Sequence, residues 1–176
     1  MLTPSTFANI LTGLRAVVAL LLPVFGALQG REALASSVYL MLVAWVSDYF
    51  DGTLARRHSS HRPSWLGAHD LQVDLLVAMG LLLYLLQSGY VSTLFALGYV
   101  VAWMLALRRF GMDKTTGSLL QGPIYGIFLW IAAQDAPAAA LWVPAWVVVV
   151  LSISWRRFLG QVLPEFFAGL GRLLRR

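Results

Sequence analysis

Six long apolar stretches, separated by short polar connections, occupy most of this 176-residue chain. A helix that crosses a bilayer needs about 20 mostly apolar residues and satisfies its backbone polar groups internally. We predict such helices over residues 7–28, 35–56, 64–87, 90–107, 119–133 and 137–153. The connections contain turn-forming residues, namely Gly30, Ser88, Gly89, Gly117 and Asp135. The sequence therefore predicts an all-α integral membrane protein with six transmembrane helices.

The composition supports lipid as the solvent, because only 12% of the residues are charged and 59% are hydrophobic. A soluble domain carries about a quarter charged residues. The net charge of +5 is better explained by loops facing anionic lipid than by nucleic acid, so we expect no nucleic-acid partner. The absence of cysteine excludes disulfides, thiolate metal sites and cysteine nucleophiles.

Basic residues alternate between the predicted connections. They follow the second helix, the fourth helix and the sixth helix, whereas the intervening loops contain only Arg31. The positive-inside rule then predicts that both termini are cytoplasmic, and we expect a bacterial inner membrane. The basic tail, residues 154–176, also contains leucine and phenylalanine, which indicates an interfacial amphipathic helix interrupted at Pro164. A frayed basic tail is the alternative, and residues 1–153 form the membrane domain in either case.

Four of the eight acidic residues fall between positions 48 and 74. Asp48 and Asp51 are three residues apart, and Asp70 and Asp74 are four apart, so each pair shares one helical face. The pairs lie on consecutive predicted helices, near the ends that meet at one basic loop. If these helices pack as an antiparallel pair, the four carboxylates face each other.

Four carboxylates repel one another when they crowd together, and divalent cations relieve that repulsion. A ligand set made only of oxygen selects hard metals such as Mg²⁺ or Mn²⁺, and two ions about 4 Å apart could bridge the four aspartates. The competing interpretation is an ion-pair cluster with Arg56, Arg57 and Arg62.

Small residues lie beside the carboxylates. Gly52 and Ala55 follow Asp48 at offsets of four and seven, which leaves room for a ligand against the backbone or for close helix packing. Arg56 lies one turn beyond Gly52 and could bind a phosphate oxygen.

The run DYFDGTLARR followed by LGAHDLQVD resembles the signature of the CDP-alcohol phosphotransferases, D-x2-D-G-x2-A-R and then G-x3-D-x3-D. Asp48, Asp51, Gly52, Ala55 and Arg56 match the first half, and Asp70 and Asp74 match the last two aspartates. An N-terminal trio also resembles members such as phosphatidylglycerophosphate synthases: Asn9, Thr12 and Arg15.

The second half departs from that signature. Ten residues separate Arg56 from Gly67 instead of about eight, Gly67 precedes Asp70 by three instead of four, and His69 replaces the usual leucine. In a helix this rotates Gly67 by about 100° relative to the aspartates. This change in spacing weakens the expectation that Gly67 contacts the nucleotide.

The resemblance implies roles for the matched residues. Asp48, Asp51 and Asp70, with Asp74, would hold two Mg²⁺ or Mn²⁺ ions, and Asp74 would also be the general base. Gly52, Ala55, Arg56 and Gly67 would line the CDP site. The chain would release CMP from a CDP-linked lipid, with CDP-diacylglycerol expected, and join the phosphatidyl group to a small alcohol. The resemblance also implies a homodimer.

The sequence does not identify the acceptor alcohol. Glycerol 3-phosphate is the leading candidate, and serine, inositol phosphate and phosphatidylglycerol are the alternatives. A second basic loop with Arg108, Arg109 and Lys114 is expected to bind an acceptor phosphate, or else to be positive-inside charge only. His58 and His61 are expected to be solvated loop residues. Two non-enzymatic hypotheses remain: a non-catalytic membrane protein that keeps the acidic cluster, and a small transporter, which would place its charges near the midplane.

Overall fold

The computed structural model of the chain describes residues 4–57 and 69–174, and these residues form helices and short turns without a strand. The helices are α1 (Pro4–Gln29), α2 (Leu34–Arg57), α3 (Asp70–Gln87), α4 (Thr93–Phe110), α5 (Lys114–Asp135), α6 (Pro137–Ala140), α7 (Trp142–Arg157) and α8 (Leu163–Leu174). A 3-10 turn, Gly30–Ala33, joins α1 to α2, and a π-helical segment, Phe158–Val162, joins α7 to α8. The predicted all-α class is confirmed.

Four stretches of the described residues are long and apolar enough to cross a membrane: Asn9–Asp51, Asp70–Gln87, Thr93–Phe110 and Pro137–Arg172. The first is 43 residues long and includes most of both α1 and α2. The helix α5 is not among the four. An integral membrane protein is therefore confirmed, whereas the count of six spans and the cytoplasmic termini stay predictions.

The boundaries of α4 and α5 differ from the predicted ones because side chains cap both helices. Ser92 Oγ accepts a hydrogen bond from the Phe95 amide at 3.2 Å, so α4 begins at Thr93 instead of residue 90. Asp113 accepts from the Thr116 amide at 2.7 Å, so α5 begins five residues before the predicted start. The prediction of a turn at Gly117 is wrong, since Gly117 is buried within α5. Instead, Gly111 ends α4 with a φ of 83°, a conformation that glycine adopts readily.

The helix α1 is the centre of the bundle, because it packs extensively against both α2 and α3. Its buried residues Val18 and Leu22 belong to one apolar core with Val38 and Met41 of α2. The same core includes residues of α3 and α5, among them Leu81, Leu85, Ile124 and Phe128. Any side chain on the inner face of α1 is therefore within reach of two other helices.

At one end of the bundle, Arg31 links the turn after α1 to the end of α3. Its Nε donates to the carbonyl of Ser88 at 3.2 Å, and its Nη2 donates to the carbonyl of Gly89 at 3.1 Å. The guanidinium also lies 4.8 Å from the centroid of the Tyr90 ring. These contacts satisfy carbonyls that the end of a helix leaves without a partner.

The middle of α4 is attached to α5 through the backbone carbonyl of Leu120. Tyr99 Oη donates to the carbonyl of Leu120 at 2.8 Å, and Trp103 Nε1 donates to the same carbonyl at 3.0 Å. The basic residues Arg108 and Arg109 occupy the last turn of α4, and Lys114 begins α5. The hydrogen bonds to Leu120 therefore help to fix the second basic loop relative to the bundle.

The backbones of α1 and α3 approach each other closely at Gly80. A Cβ atom at this position would collide with the backbone carbonyl of Ala19. Only glycine allows the two backbones to come this near, as is common for small residues between membrane helices. By contrast, a Cβ at Gly98 of α4 would meet nothing within 4 Å.

We expect Gly80→Ala to destabilise the protein by about 1–3 kcal/mol, because a rigid backbone must move to admit the methyl group. The matched substitution Gly98→Ala should leave stability unchanged or raise it slightly, since alanine favours helix over glycine. Thermal unfolding in detergent measures both effects. Equal stability of the two variants would contradict the close α1–α3 contact.

Candidate functional site

The four aspartates of the sequence motif lie near one end of the bundle. Asp48 and Asp51 are on the last turns of α2, and Asp70 and Asp74 are on the first turns of α3. The two pairs lie close together although α2 and α3 pack mainly against α1 and much less against each other. A residue of α1 contacts all four carboxylates.

That residue is Arg15, whose side chain is 1% exposed. Its Nη1 lies 3.0 Å from Asp48 Oδ1 and 2.5 Å from Asp74 Oδ1. Its Nη2 lies 2.9 Å from Asp51 Oδ2 and also contacts Asp70 Oδ1. One guanidinium therefore binds all four carboxylates. Each of its two terminal nitrogens contacts one aspartate of α2 and one aspartate of α3.

Thr12 lies one turn before Arg15 on α1 and is buried. Its hydroxyl donates a hydrogen bond to Asp51 Oδ2 at 2.7 Å and accepts one from Arg15 Nη2 at 3.5 Å. The spacing of three residues places Thr12 and Arg15 on the same face of α1. Thr12 therefore holds both the arginine and the most buried of the four carboxylates.

The carboxylates differ in their access to solvent. The side chains of Asp48, Asp70 and Asp74 are 54%, 40% and 27% exposed, whereas that of Asp51 is 11% exposed. Asp48, Asp70 and Asp74 also offer oxygen atoms that all lie within 4.8 Å of one another. These three aspartates form the open side of the cluster, and Asp51 forms its buried side.

The donor set suits a divalent cation. When all four carboxylates are ionised, one guanidinium leaves three negative charges without compensation inside the cluster. The three exposed aspartates supply only oxygen ligands, which Mg²⁺ and Mn²⁺ prefer. An excess of negative charge and an open face of oxygen atoms are both features that a hard cation requires.

Two residues of α5 lie near the cluster. Lys114, at the start of α5, is close enough to attract the Asp48 carboxylate. Tyr125, on the same helix, lies close to Asp48 and Asp74, and its ring makes an edge contact with Trp45 at 5.6 Å. Arg108 and Arg109 are exposed on the last turn of α4. The structure thus brings the beginning of α5 to the aspartates and leaves the two arginines at the neighbouring surface.

Part of the predicted nucleotide site cannot be compared with the structure. Gly52, Ala55 and Arg56 belong to the last turns of α2, but their surroundings lie outside what the structure describes. Gly67, His58, His61 and Arg62 lie in the segment 58–68, outside the described residues. Their predicted roles stay predictions.

The central position of Arg15 was not predicted from the sequence, although the residue was noted within the N-terminal trio. The signal was present, because Arg15 interrupts the first apolar run and a charge inside a membrane helix requires a partner. The competing ion-pair interpretation of the sequence named Arg56, Arg57 and Arg62, whereas the arginine that contacts the aspartates in the structure comes from α1.

Comparison with known protein families gives one match. The family model of the CDP-alcohol phosphatidyltransferases matches residues 5–154, which include all of α1 except Pro4, all four aspartates and the second basic loop. Neither the curated proteins nor the solved structures contain a significant match to the chain. Because the matched region covers most of the chain, the protein belongs to the CDP-alcohol phosphatidyltransferase family, whose reaction is phosphatidyl transfer in lipid biosynthesis.

Proposed function

We propose that this protein transfers the phosphatidyl group of CDP-diacylglycerol to a small alcohol, with glycerol 3-phosphate as the leading acceptor and CMP as the leaving group. The observation that carries the proposal is the convergence of Asp48, Asp51, Asp70 and Asp74 on a single point at the end of the bundle. Within a protein of this family, such a point is where the donor pyrophosphate would be bound.

Asp48, Asp70 and Asp74 would hold Mg²⁺ or Mn²⁺ through their exposed oxygens, with Asp51 behind them, and we propose two ions. When bound, the cations neutralise the pyrophosphate and stabilise the departing CMP. Gly52, Ala55 and Arg56 would lie along the nucleotide, since they continue α2 beyond Asp48 and Asp51. Gly67 completes the proposed nucleotide site.

Asp74 is our candidate for the general base. Its oxygen is held by Arg15 Nη1, so the carboxylate has a fixed position near the open side of the cluster. The acceptor hydroxyl would attack the phosphorus that bears the diacylglycerol, and the bond from this phosphorus to CMP would break. The hydroxyl proton would pass to Asp74.

An apolar groove lined by α1 and α2 favours a lipid donor. The groove has a volume of about 420 Å³ and is lined by residues of α1 and α2: Leu11, Leu14, Tyr39, Leu42, Val43, Val46, Ser47 and Phe50. Leu14 is adjacent in the chain to Arg15, and Ser47 is adjacent to Asp48. A donor bound through its pyrophosphate at the aspartates could therefore place an acyl chain in this groove.

The acceptor phosphate would be bound by the second basic loop. Lys114 is the best-supported member, because it lies at the start of α5 near Asp48. Arg108 and Arg109 lie on the last turn of α4, and α4 is tied to α5 by the hydrogen bonds to Leu120. A cationic surface next to the aspartates suits glycerol 3-phosphate better than serine, which carries no phosphate.

We propose that this end of the bundle faces the cytoplasm of a bacterial cell. The proximity of Lys114 to Asp48 supports this proposal, since it brings the beginning of α5 near the end of α2. Both positions adjoin arginine-rich segments of the sequence, as the positive-inside rule requires of cytoplasmic connections. We also propose a homodimer, and this part of the proposal rests on the family resemblance alone.

One observation favours a second candidate function, a non-catalytic protein with a structural ion cluster. Arg15 binds all four carboxylates, and an ion cluster of this kind can serve helix packing alone. The exposure of Asp48 and Asp70 argues for the enzyme, since an ion cluster that only supports packing has no need of an open face. Metal dependence separates the two candidates.

Purified protein in detergent should release CMP from labelled CDP-diacylglycerol only when an acceptor is present. A panel of glycerol 3-phosphate, serine, inositol phosphate and phosphatidylglycerol identifies the acceptor, and we expect glycerol 3-phosphate to react fastest. EDTA should abolish CMP release, and excess Mg²⁺ or Mn²⁺ should restore it. Release that is insensitive to EDTA would refute the metal site, and no release with any acceptor would support the non-catalytic candidate.

Asp74→Asn should lower the transfer rate by at least about 100-fold, because an amide cannot accept the hydroxyl proton. Binding of the CDP-linked donor should remain measurable in this variant, since the amide oxygen still accepts a hydrogen bond from Arg15. The control is Glu32→Gln, which removes an exposed carboxylate near Arg31 and should leave the rate unchanged. Turnover by Asp74→Asn at the wild-type rate would rule out its role as the base.

Val46→Trp should fill part of the groove and weaken the binding of a long-chain donor. We expect kcat/KM to fall about tenfold for dioleoyl CDP-diacylglycerol, equivalent to the contacts of roughly two methylene groups, and to change little for a short-chain donor. The control is Leu20→Trp, at an exposed position of α1 outside the groove. Equal losses for both donors would show that the groove does not hold an acyl chain.

A further inference from the structure

Arg15 uses only its two terminal nitrogens to hold the carboxylates. Nη1 binds Asp48 and Asp74, and Nη2 binds Asp51 and Asp70. Its Nε is buried and has no acceptor among the described residues. The position of the guanidinium in the cluster therefore depends on contacts that end on carboxylate oxygens, together with the hydroxyl of Thr12.

The partners of Arg15 include all three aspartates that could hold a cation, Asp48, Asp70 and Asp74. An oxygen lone pair that accepts a hydrogen bond from a guanidinium is not available to a metal ion in the same direction. The guanidinium also repels a divalent cation held within a few ångströms, and this repulsion is strong at a site with little water. Arg15 and a divalent cation therefore cannot both bind these carboxylate oxygens fully at the same time.

We propose that Arg15 is a built-in competitor of the divalent cation and that cation binding replaces some of its contacts with Asp48, Asp70 and Asp74. This inference rests on the cation of the proposed function. Arg15 is a positioning residue in this role, since it acts through the aspartates. Asp51 and Thr12 retain the arginine, because their contacts with it lie on the buried side of the cluster.

Such competition has two consequences of opposite sign. Without a cation, Arg15 compensates part of the repulsion among four carboxylates, so its removal should destabilise the protein. With a cation, Arg15 weakens binding, so its removal should raise the affinity. A residue with a purely structural role would change the first property and leave the second unchanged or make it worse.

The test measures the affinity for Mn²⁺ alone, without donor or acceptor, by electron paramagnetic resonance on purified protein that has been treated with EDTA. Arg15→Met keeps an apolar stem of similar length and removes the charge. We expect this variant to bind Mn²⁺ at least about tenfold more tightly than the wild-type protein, and to unfold at a lower temperature in EDTA. The rise in unfolding temperature on adding Mn²⁺ should be larger in the variant.

Arg31→Met is the matched control. Arg31 also donates hydrogen bonds to oxygen atoms at a helix end, but these are the carbonyls of Ser88 and Gly89 after the last turn of α3, whereas Asp70 and Asp74 lie on its first turns. It should lower the unfolding temperature and leave Mn²⁺ affinity unchanged. If Arg15→Met fails to fold, Arg15→Lys replaces it. A lysine has one nitrogen and cannot bridge four carboxylates, so an intermediate gain in affinity is expected.

Unchanged or weaker Mn²⁺ binding by Arg15→Met or Arg15→Lys, beside measurable binding by the wild-type protein, would overturn the competition and leave the proposed function intact. If neither the wild-type protein nor the variants bind Mn²⁺, both the competition and the metal part of the proposed function fail. Tighter binding in the Arg15 variants, with Arg31→Met unchanged, would support the competition.

Discussion

The ion cluster around Arg15 is the interaction on which the arrangement of the first three helices depends. Removing charged groups from water is costly, and the cost is recovered only if each group finds partners of opposite charge. A buried arginine on α1 and aspartates on α2 and α3 satisfy this requirement only when α1 lies between the other two helices. The electrostatics of five side chains thus constrain the order in which the helices pack.

The apolar contacts of α1 have to be compatible with that arrangement. For the guanidinium to reach Asp70 and Asp74, α1 must approach α3 closely, and Gly80 removes the side chain that would keep them apart. Above the cluster, Val18 and Leu22 continue the same inner face of α1 into the core. The charged and apolar contacts therefore lie along one face of one helix, and each holds the other in register.

The sequence was sufficient for the helices and for the faces that carry the carboxylates, because both follow from local rules. Apolar runs give helices in lipid, and spacings of three and four residues place Asp48 with Asp51 and Asp70 with Asp74. Local capping at Asp113 could also have been recognised, and it explains why the helix prediction began too late at α5. The position of α1 between α2 and α3 could not be predicted from the sequence, because periodicity identifies which face of a helix is buried without identifying the helix that packs against it.

Because the aspartates are unequally exposed, the site has a buried side and a side that is open to solvent. Asp51 is held from behind by Thr12 and Arg15, whereas Asp48, Asp70 and Asp74 turn oxygens toward the end of the bundle, where Lys114 begins α5. The CDP-linked lipid that we propose as the donor has the matching asymmetry, since its acyl chains require the membrane and its nucleotide requires water. A site at the end of the helices, with charge facing outward and an apolar groove along α1 and α2, can meet both requirements without any part of the donor leaving its preferred solvent.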